Sequence, residues 1–509
     1  MGNNEKAKGL NPVLVISAVI VGLFVIFGAI APATLKAGAD WLFSFLTVNF
    51  GWLYLITVFL LLIFAVAIGI SKFGTIKLGK DDDVPEYSNF KWFTMLFGGG
   101  MGIGLVFYSV AEPIMHYLAP PTADPATADA MYEAMETVFF HWGIHPWVIY
   151  AVGGLGLGYF AFRKDKPFLV SSALEPLLGE KRVKGGWGKA VDILAVIATI
   201  FGVATSLGLG AAQIVGGLGY VYGVESTTFL TCAIIAVITV VFTIATMSGL
   251  QKGMQLVADI KIYLSIAFMV FIFIFGGAVF ICDIFTNTIG GYFNGLIAKS
   301  LFMENDSFVQ GWTVFYWAWW IAWAPFCGQF VARVSKGRSI RQYLFAVMLL
   351  PTGFGFVWLA IYGGAAFNLD AIANGAIQAA VGADYTTGLF ALLEQLPLFQ
   401  ITAPLAILLI VFCFLGAANS ATFVLAMLTS GGSLEPSKKL RGGWGIAQGA
   451  VTLICIIVGG TAILSILQTV SIVAAFPYMF VMLAMCVSIY IALKQEFDPE
   501  FKLFGKKQK

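Results

Sequence analysis

The feature that most constrains this chain is a succession of twelve apolar stretches, each of roughly 20 residues, the length of helix that crosses a bilayer. They run over 12–32, 51–71, 90–111, 137–162, 190–221, 226–248, 259–282, 308–333, 343–366, 398–428, 446–468 and 470–493. Lipid offers no partner for backbone N–H and C=O groups, so segments of this kind satisfy them internally as helices. Hydrophobic residues make up 59% of the chain and charged residues 11%, far from the quarter or so that soluble domains carry. The reading is an all-α polytopic membrane protein with twelve transmembrane helices.

The charges fix the expected orientation. With the N-terminus inside, the runs around Lys72, Lys77, Lys80, Arg163 to Lys189, Arg333 to Arg341 and Lys438 to Arg441 all fall on the cytoplasmic side, as do the C-terminal lysines; of 29 basic residues only Lys36 and Lys299 fall outside. The first span follows a short polar tail without a cleavage-type site, so it reads as a retained helix. Both termini are expected in the cytoplasm and the chain in the cell membrane, with the bilayer as its constant partner. Six cysteines lie scattered without CxxC spacing and read as small apolar residues, giving neither disulfides nor a metal site. No Walker A sequence, dinucleotide fingerprint or nucleic-acid patch is present, and no nucleophile-base pair marks an enzyme. No cofactor and no nucleic-acid partner are expected.

Three spans carry unusual chemistry. The eighth, GWTVFYWAWWIAWAPFCGQFVAR, places Trp312, Trp317, Trp319, Trp320 and Trp323 within twelve residues. The last three fall near half depth, too deep for an interfacial belt. Indole faces are electronegative, so several around one cavity suit a quaternary ammonium, which is cationic and has no N–H to donate. Trp312 and Trp317 are the likeliest of the five to serve packing alone. The third span holds FGGGMGIGL, with Gly98, Gly100, Gly102 and Gly104, where a helix can unwind and show bare backbone to a cavity; the competing reading is close helix contact, as also at Gly154 and Gly158. The fourth holds HWGIHPWVIY, with Trp142, Trp147 and Tyr150. His141 and His145 are four apart but show neither a metalloprotease glutamate nor a third ligand nearby, and read as packed histidines. Spans three and eight enter from opposite sides five spans apart, as an inverted repeat requires.

The run WTVFYWAWWIAWAPF continued by VARVSKGR, with GMGIG and HWGIHPWVIY, resembles the betaine/choline/carnitine transporter (BCCT) family over nearly the whole chain. The resemblance implies a five-plus-five inverted-repeat (LeuT-type) core: residues 1–89 as tail and two additional helices, 90–282 as the first repeat, 283–307 as an amphipathic connection, 308–493 as the second repeat and 494–509 as a short cytoplasmic tail. It implies an aromatic box of Trp142, Trp147, Tyr150 and Trp320, with Trp319 and Trp323 beside it and the backbone of Gly100, Met101, Gly102 and Gly104 facing the substrate. It also implies a homotrimer contact at the amphipathic connection.

No Asp or Glu is placed at mid-depth, and Glu112 is expected at the outer end of span three. A cation such as choline needs a counter-charge there, whereas a zwitterion can set its carboxylate on glycine amides. In choline-transporting relatives an aspartate resembles the usual occupant of the position of Gly104. Glycine betaine is therefore the expected substrate, then carnitine or butyrobetaine.

The resemblance places one sodium site on Gly98, Met101 and a Thr-Ser pair, here Gly416 and Ala417, and another on Thr199, Phe326 and a second threonine, here Val203. Sodium needs several hard oxygens, so both sites read as degraded, unless Asn419 and Ser420 supply oxygens. Sodium-independent exchange or facilitated transport is expected, with a sodium-coupled symporter as one alternative and a quaternary-ammonium sensor as another.

Overall fold

The computed structural model describes residues 11–100, 102–248, 251–303, 307–460 and 463–503. Among these, regular structure is helical throughout, apart from one isolated antiparallel bridge between Lys77 and Ser339. The principal helices are α1 (Pro12–Ile30), α2 (Pro32–Ile70), α3 (Asn89–Gly100), α4 (Ile103–Leu118), α5 (Ala128–Trp142), α6 (Ile144–Gly158), α7 (Gly186–Tyr222), α8 (Thr228–Ser248), α9 (Gln251–Phe275), α10 (Ala278–Leu301), α11 (Val314–Arg333), α12 (Ile340–Ile372), α13 (Phe399–Thr429), α14 (Lys438–Gly459) and α15 (Ile463–Gln495).

Their ends follow local chemistry. The Asn11 side chain accepts from Val13 N–H while Pro12 opens α1 with a fixed φ. Ser339 and Gln342 form a reciprocal capping box at the start of α12. The last two expected spans, 446–468 and 470–493, require correction: α14 ends at Gly459 and Gly460 follows at φ 54°, a conformation that favours glycine. The break lies at this glycine pair, ahead of residue 469. Residues 283–301, expected as a connecting segment, belong to α10, which packs on α5 and α12.

Nine helices among the described residues are long and apolar enough to cross a membrane. The three expected spans that do not qualify are the broken pairs α3/α4 and α5/α6 and the tryptophan-rich α11, and α4, α5, α6 and α11 line the cavity described below. Their irregularity lowers a length-and-hydropathy measure for the reason that makes them chemically interesting.

α11 occupies the centre, packed by α6, α7 and α15. Its residues Val314 to Ala322 are all buried. Gly154 permits the close α6–α11 crossing, since a Cβ there would lie 2.7 Å from the Gly328 carbonyl oxygen. Peripheral helices instead expose large apolar side chains, including Leu23 on α1, Val237 on α8 and Tyr263 on α9, the pattern of a surface made for lipid. At one end of the bundle the 71–88 loop pairs with the turn before α12, through Leu78 N–H to Arg338 O and Gly337 N–H to Leu78 O, both 2.8 Å. Arg163 there donates to Gly79 O, Asp81 and Glu496.

Candidate substrate site

Two helix breaks and one central helix build a single cavity. α3 ends at Gly100 and α4 begins at Ile103, with Gly102 extended at φ −105°, ψ 171° and no side chain capping the new N-terminus. The first-turn N–H groups of α4 thus lack a side-chain partner and carry the positive end of the helix dipole. α5 and α6 break at Gly143, where a Cβ would lie 2.5 Å from the Phe139 carbonyl oxygen and 2.8 Å from the Tyr292 hydroxyl. That break sets Trp142 at the end of α5 and swings Trp147 and Tyr150 inward on α6.

The cavity holds about 70 Å³ of water-accessible space. Its lining brings together Gly102 and Gly104 of α4, Trp142, Trp147 and Tyr150, and Trp319, Trp320 and Trp323 of α11, with Pro146, Ser206, Cys327, Pro351, Phe354 and Gly355. The rings meet edge to face: Trp142 and Trp320 have centroids 4.9 Å apart at 71°, Trp147 and Tyr150 5.5 Å at 84°, Tyr150 and Trp320 6.4 Å at 84°. Trp319 lies stacked on Trp320 at 4.8 Å. Gly104 is required by close approach, since a Cβ there would lie 2.5 Å from Trp319 Cη2 and 3.0 Å from Trp142 Cη2. Gly100 closes α3, and Met101 lies outside the described residues. Trp312 and Trp317 stand off the cavity, one against His116 at 4.6 Å and the other stacked on His145 at 5.0 Å.

Four of the five lining indoles are held by specific acceptors. Trp320 Nε1 donates to His141 O at 3.0 Å, Trp323 Nε1 to Gly202 O at 2.8 Å and Trp319 Nε1 to the same carbonyl at 3.3 Å. Trp142 Nε1 donates to Glu112 Oε2 at 2.8 Å. This last contact corrects the sequence reading. Glu112 does not sit at an outer helix end; it is fully buried on α4 directly behind the aromatic wall. Tyr316 O–H donates to the same oxygen at 2.5 Å, while His141 Nδ1 and His116 Nε2 lie 2.7 and 3.1 Å from Oε1. His141 therefore has the companions that its sequence neighbourhood did not show. The three side chains place ligand-type atoms within 4.8 Å of one another, yet four neighbouring donors and Thr313 on His141 Nε2 account for the set as a hydrogen-bonded network. No signal in the sequence pairs Glu112 with His141, 29 residues away.

The expected ion positions fall outside the cavity lining. Gly98 lies in α3, with Ile262 Cδ1 of α9 3.7 Å from where its Cβ would be. Thr199 Oγ1 donates to Ala195 O at 2.8 Å and Val203 is fully buried on α7. Phe326 packs on Trp323 at 5.1 Å. Gly416 and Ala417 lie on α13, part-buried.

Comparison with known proteins finds a family and curated relatives that cover nearly the whole chain. A family model described as BCCT, betaine/carnitine/choline family transporter, matches residues 12–498. The chain is 61% identical over 489 residues to a probable glycine betaine transporter of Desulfitobacterium hafniense (strain Y51), covering 96% of this chain and 98% of that one. It is 42% identical to the glycine betaine transporter OpuD of Bacillus subtilis (strain 168), over 96% and 95% of the two chains. It is 40% identical to an ectoine/hydroxyectoine transporter of Virgibacillus pantothenticus, over 94% and 95%.

Proposed function

The chain belongs to the betaine/carnitine/choline family of transporters, and from that premise we propose that it carries a zwitterionic trimethylammonium compound across the membrane by alternating access. Glycine betaine is the first choice, carnitine or butyrobetaine the next. The observation that carries this reading is the wall of Trp142, Trp147, Tyr150 and Trp320 around a space whose lining contains no acidic side chain. π faces bind a quaternary ammonium. A bare cation would lack a direct counter-charge in this lining, whereas a zwitterion brings its own and can set its carboxylate on the uncapped first turn of α4. The relatives named as glycine betaine transporters support the choice. The proposal includes twelve spans, α3 to α9 and α11 to α15 as inverted repeats, and both termini in the cytoplasm.

We also propose that transport is exchange or facilitated passage without sodium. Val203, Gly416 and Ala417 supply no side-chain oxygen, which leaves the Thr199 hydroxyl as the one side-chain oxygen at those expected ion positions. Asn419 Oδ1 already accepts from Thr246 at 2.5 Å, and Ser420 is exposed. The test is uptake of labelled glycine betaine into proteoliposomes, with and without a sodium gradient and with and without unlabelled betaine inside. Uptake that follows preloading and ignores sodium is expected. Concentrative uptake that requires sodium would overturn the coupling proposal and leave the substrate proposal standing; failure to take up any trimethylammonium compound would overturn both.

A further inference from the structure

The carboxylate behind the aromatic wall is satisfied in its hydrogen bonds and not in its charge. Glu112 is fully buried, and each of its oxygens has two donors beside it: Trp142 Nε1 and Tyr316 O–H at Oε2, His141 Nδ1 and His116 Nε2 at Oε1. Four converging donors suit an ionised carboxylate, which only accepts. The histidines do not supply the cation that would cancel it. His116 Nδ1 is buried without a hydrogen-bond partner among the described residues, with the ring centroids of Phe308 and Trp312 at 4.8 and 4.6 Å; an imidazolium would leave that N–H without an acceptor. His141 Nε2 lies 3.1 Å from Thr313 Oγ1, a hydroxyl that can donate to a neutral ring.

Two neutral imidazoles and one carboxylate leave a net negative charge inside the bundle. Among the described residues no lysine or arginine pairs with it, and Lys299 of α10 is engaged by Glu136 at 3.0 Å. Such a charge is costly unless an opposite one stands near. The cavity is where a mobile one arrives. Trp142 joins the two places: its N–H ends on Glu112, and its ring lines the cavity edge to face with Trp320. Donation of that N–H to an anion polarises the indole and makes its face more negative toward a cation.

We propose that Glu112 is a specificity-determining residue that acts without touching the substrate: one indole behind the cavity, its carboxylate is the counter-charge for the quaternary ammonium, and it selects ligands by the charge at that centre. The lining itself stays free of acidic side chains, so the anion is felt through the wall and no ligand group pairs with it directly. The inference rests on the reading of the cavity as a trimethylammonium site.

The experiment compares glycine betaine with the anion of tert-butylacetic acid, which has the same shape and the same carboxylate but a neutral carbon in place of the charged nitrogen. Binding to the purified full chain is followed by intrinsic tryptophan fluorescence in wild type, Glu112→Gln, Glu112→Asp and Tyr316→Phe. What is read is the ratio of the two affinities, which cancels any change of cavity shape felt by both ligands. Wild type is expected to favour betaine, and Glu112→Gln to lower that ratio by about tenfold, the order expected of one charge acting through a partly screened site. Glu112→Asp, which keeps the charge, and Tyr316→Phe, which removes one donor and keeps the charge, are expected to hold the ratio. Equal losses for both ligands in Glu112→Gln would assign Glu112 to wall geometry alone and overturn the proposal, as would a ratio lowered as far by Tyr316→Phe. Equal binding of the two ligands by wild type would overturn it without any variant. Wild type that binds neither compound would instead overturn the functional reading, and this inference with it.

Discussion

The two helix breaks that shape the cavity are chemically unlike. At Gly143 the interruption is repaired: the Tyr292 hydroxyl accepts from Ile144 N–H at 3.1 Å, so α6 starts with a side-chain partner supplied by α10. Between α3 and α4 no side chain among the described residues makes the corresponding repair, and the new N-terminus opens on the cavity. A buried helix end without partners is costly, and the one left open is the one that the proposed substrate would complete. The first break is a bend that aims side chains; the second is itself part of the cavity wall.

Substitution at the open break is expected to have the largest effect. Gly104→Ala drives a Cβ into Trp319 and Trp142, an overpacking worth about 1–3 kcal/mol concentrated on two walls of the cavity. Uptake in proteoliposomes should fall to background. Gly102→Ala is the internal control, because a Cβ there meets nothing within 4 Å; it should retain most uptake. Loss at both positions, or at neither, would break the distinction between a steric requirement and general helix flexibility.

Next in size is Glu112→Gln, which acts on the aromatic wall from behind. The amide puts an NH₂ group where two histidine nitrogens, Trp142 and Tyr316 now converge on a carboxylate, and one donor must then face another. A hydrogen bond to a charged group is worth about 1.5–3 kcal/mol, so betaine affinity should drop about tenfold or more, with the Trp142 fluorescence contribution altered. At the repaired break, Tyr292→Phe leaves Ile144 N–H without its acceptor at a cost of about 1–3 kcal/mol. The melting temperature should fall while the KM for betaine stays near that of wild type. A large rise in KM would mean that both breaks are functional.

Much of this was legible in the sequence, and the exceptions have physical causes. The tryptophan run, the glycine stretch and the HWGIHPWVIY segment converge on one cavity, because clustered indoles and helix-weakening glycines at mid-span are informative on their own. The α14/α15 boundary was misplaced because Gly459 and Gly460 sit in an uninterrupted apolar run, with no charge to mark the turn. Glu112 was assigned to a helix end by counting along an unbroken span; the break at Gly102 restarts the helix and its register, and the contact with His141 joins two helices that no spacing rule relates.

The smallest effect is expected far from both breaks, at the clasp on the end of the bundle, and it tests whether the cavity is insulated from the rest of the molecule. Burial would raise the pKa of Glu496, but hydrogen bonds from Arg163, Lys164 and Tyr159 outweigh it and hold the carboxyl at about 2, below its ordinary 4.5. A carboxylate whose pKa is depressed on folding stabilises the fold above its unfolded value, and that contribution is lost as the pH falls from 4.5 towards 2. The melting temperature of wild type should therefore exceed that of Glu496→Gln by about 1–2 °C, as for a modest ion-pair network, through the neutral range. The gap should close below about pH 4.5, where the wild-type carboxyl begins to lose its advantage. Betaine affinity should be the same in both proteins, since among the described residues Glu496 reaches Arg163, Lys164 and Tyr159 at the far end of α6. A change in affinity would show that the clasp and the cavity move together through α6, and the bend at Gly143 would then be a hinge.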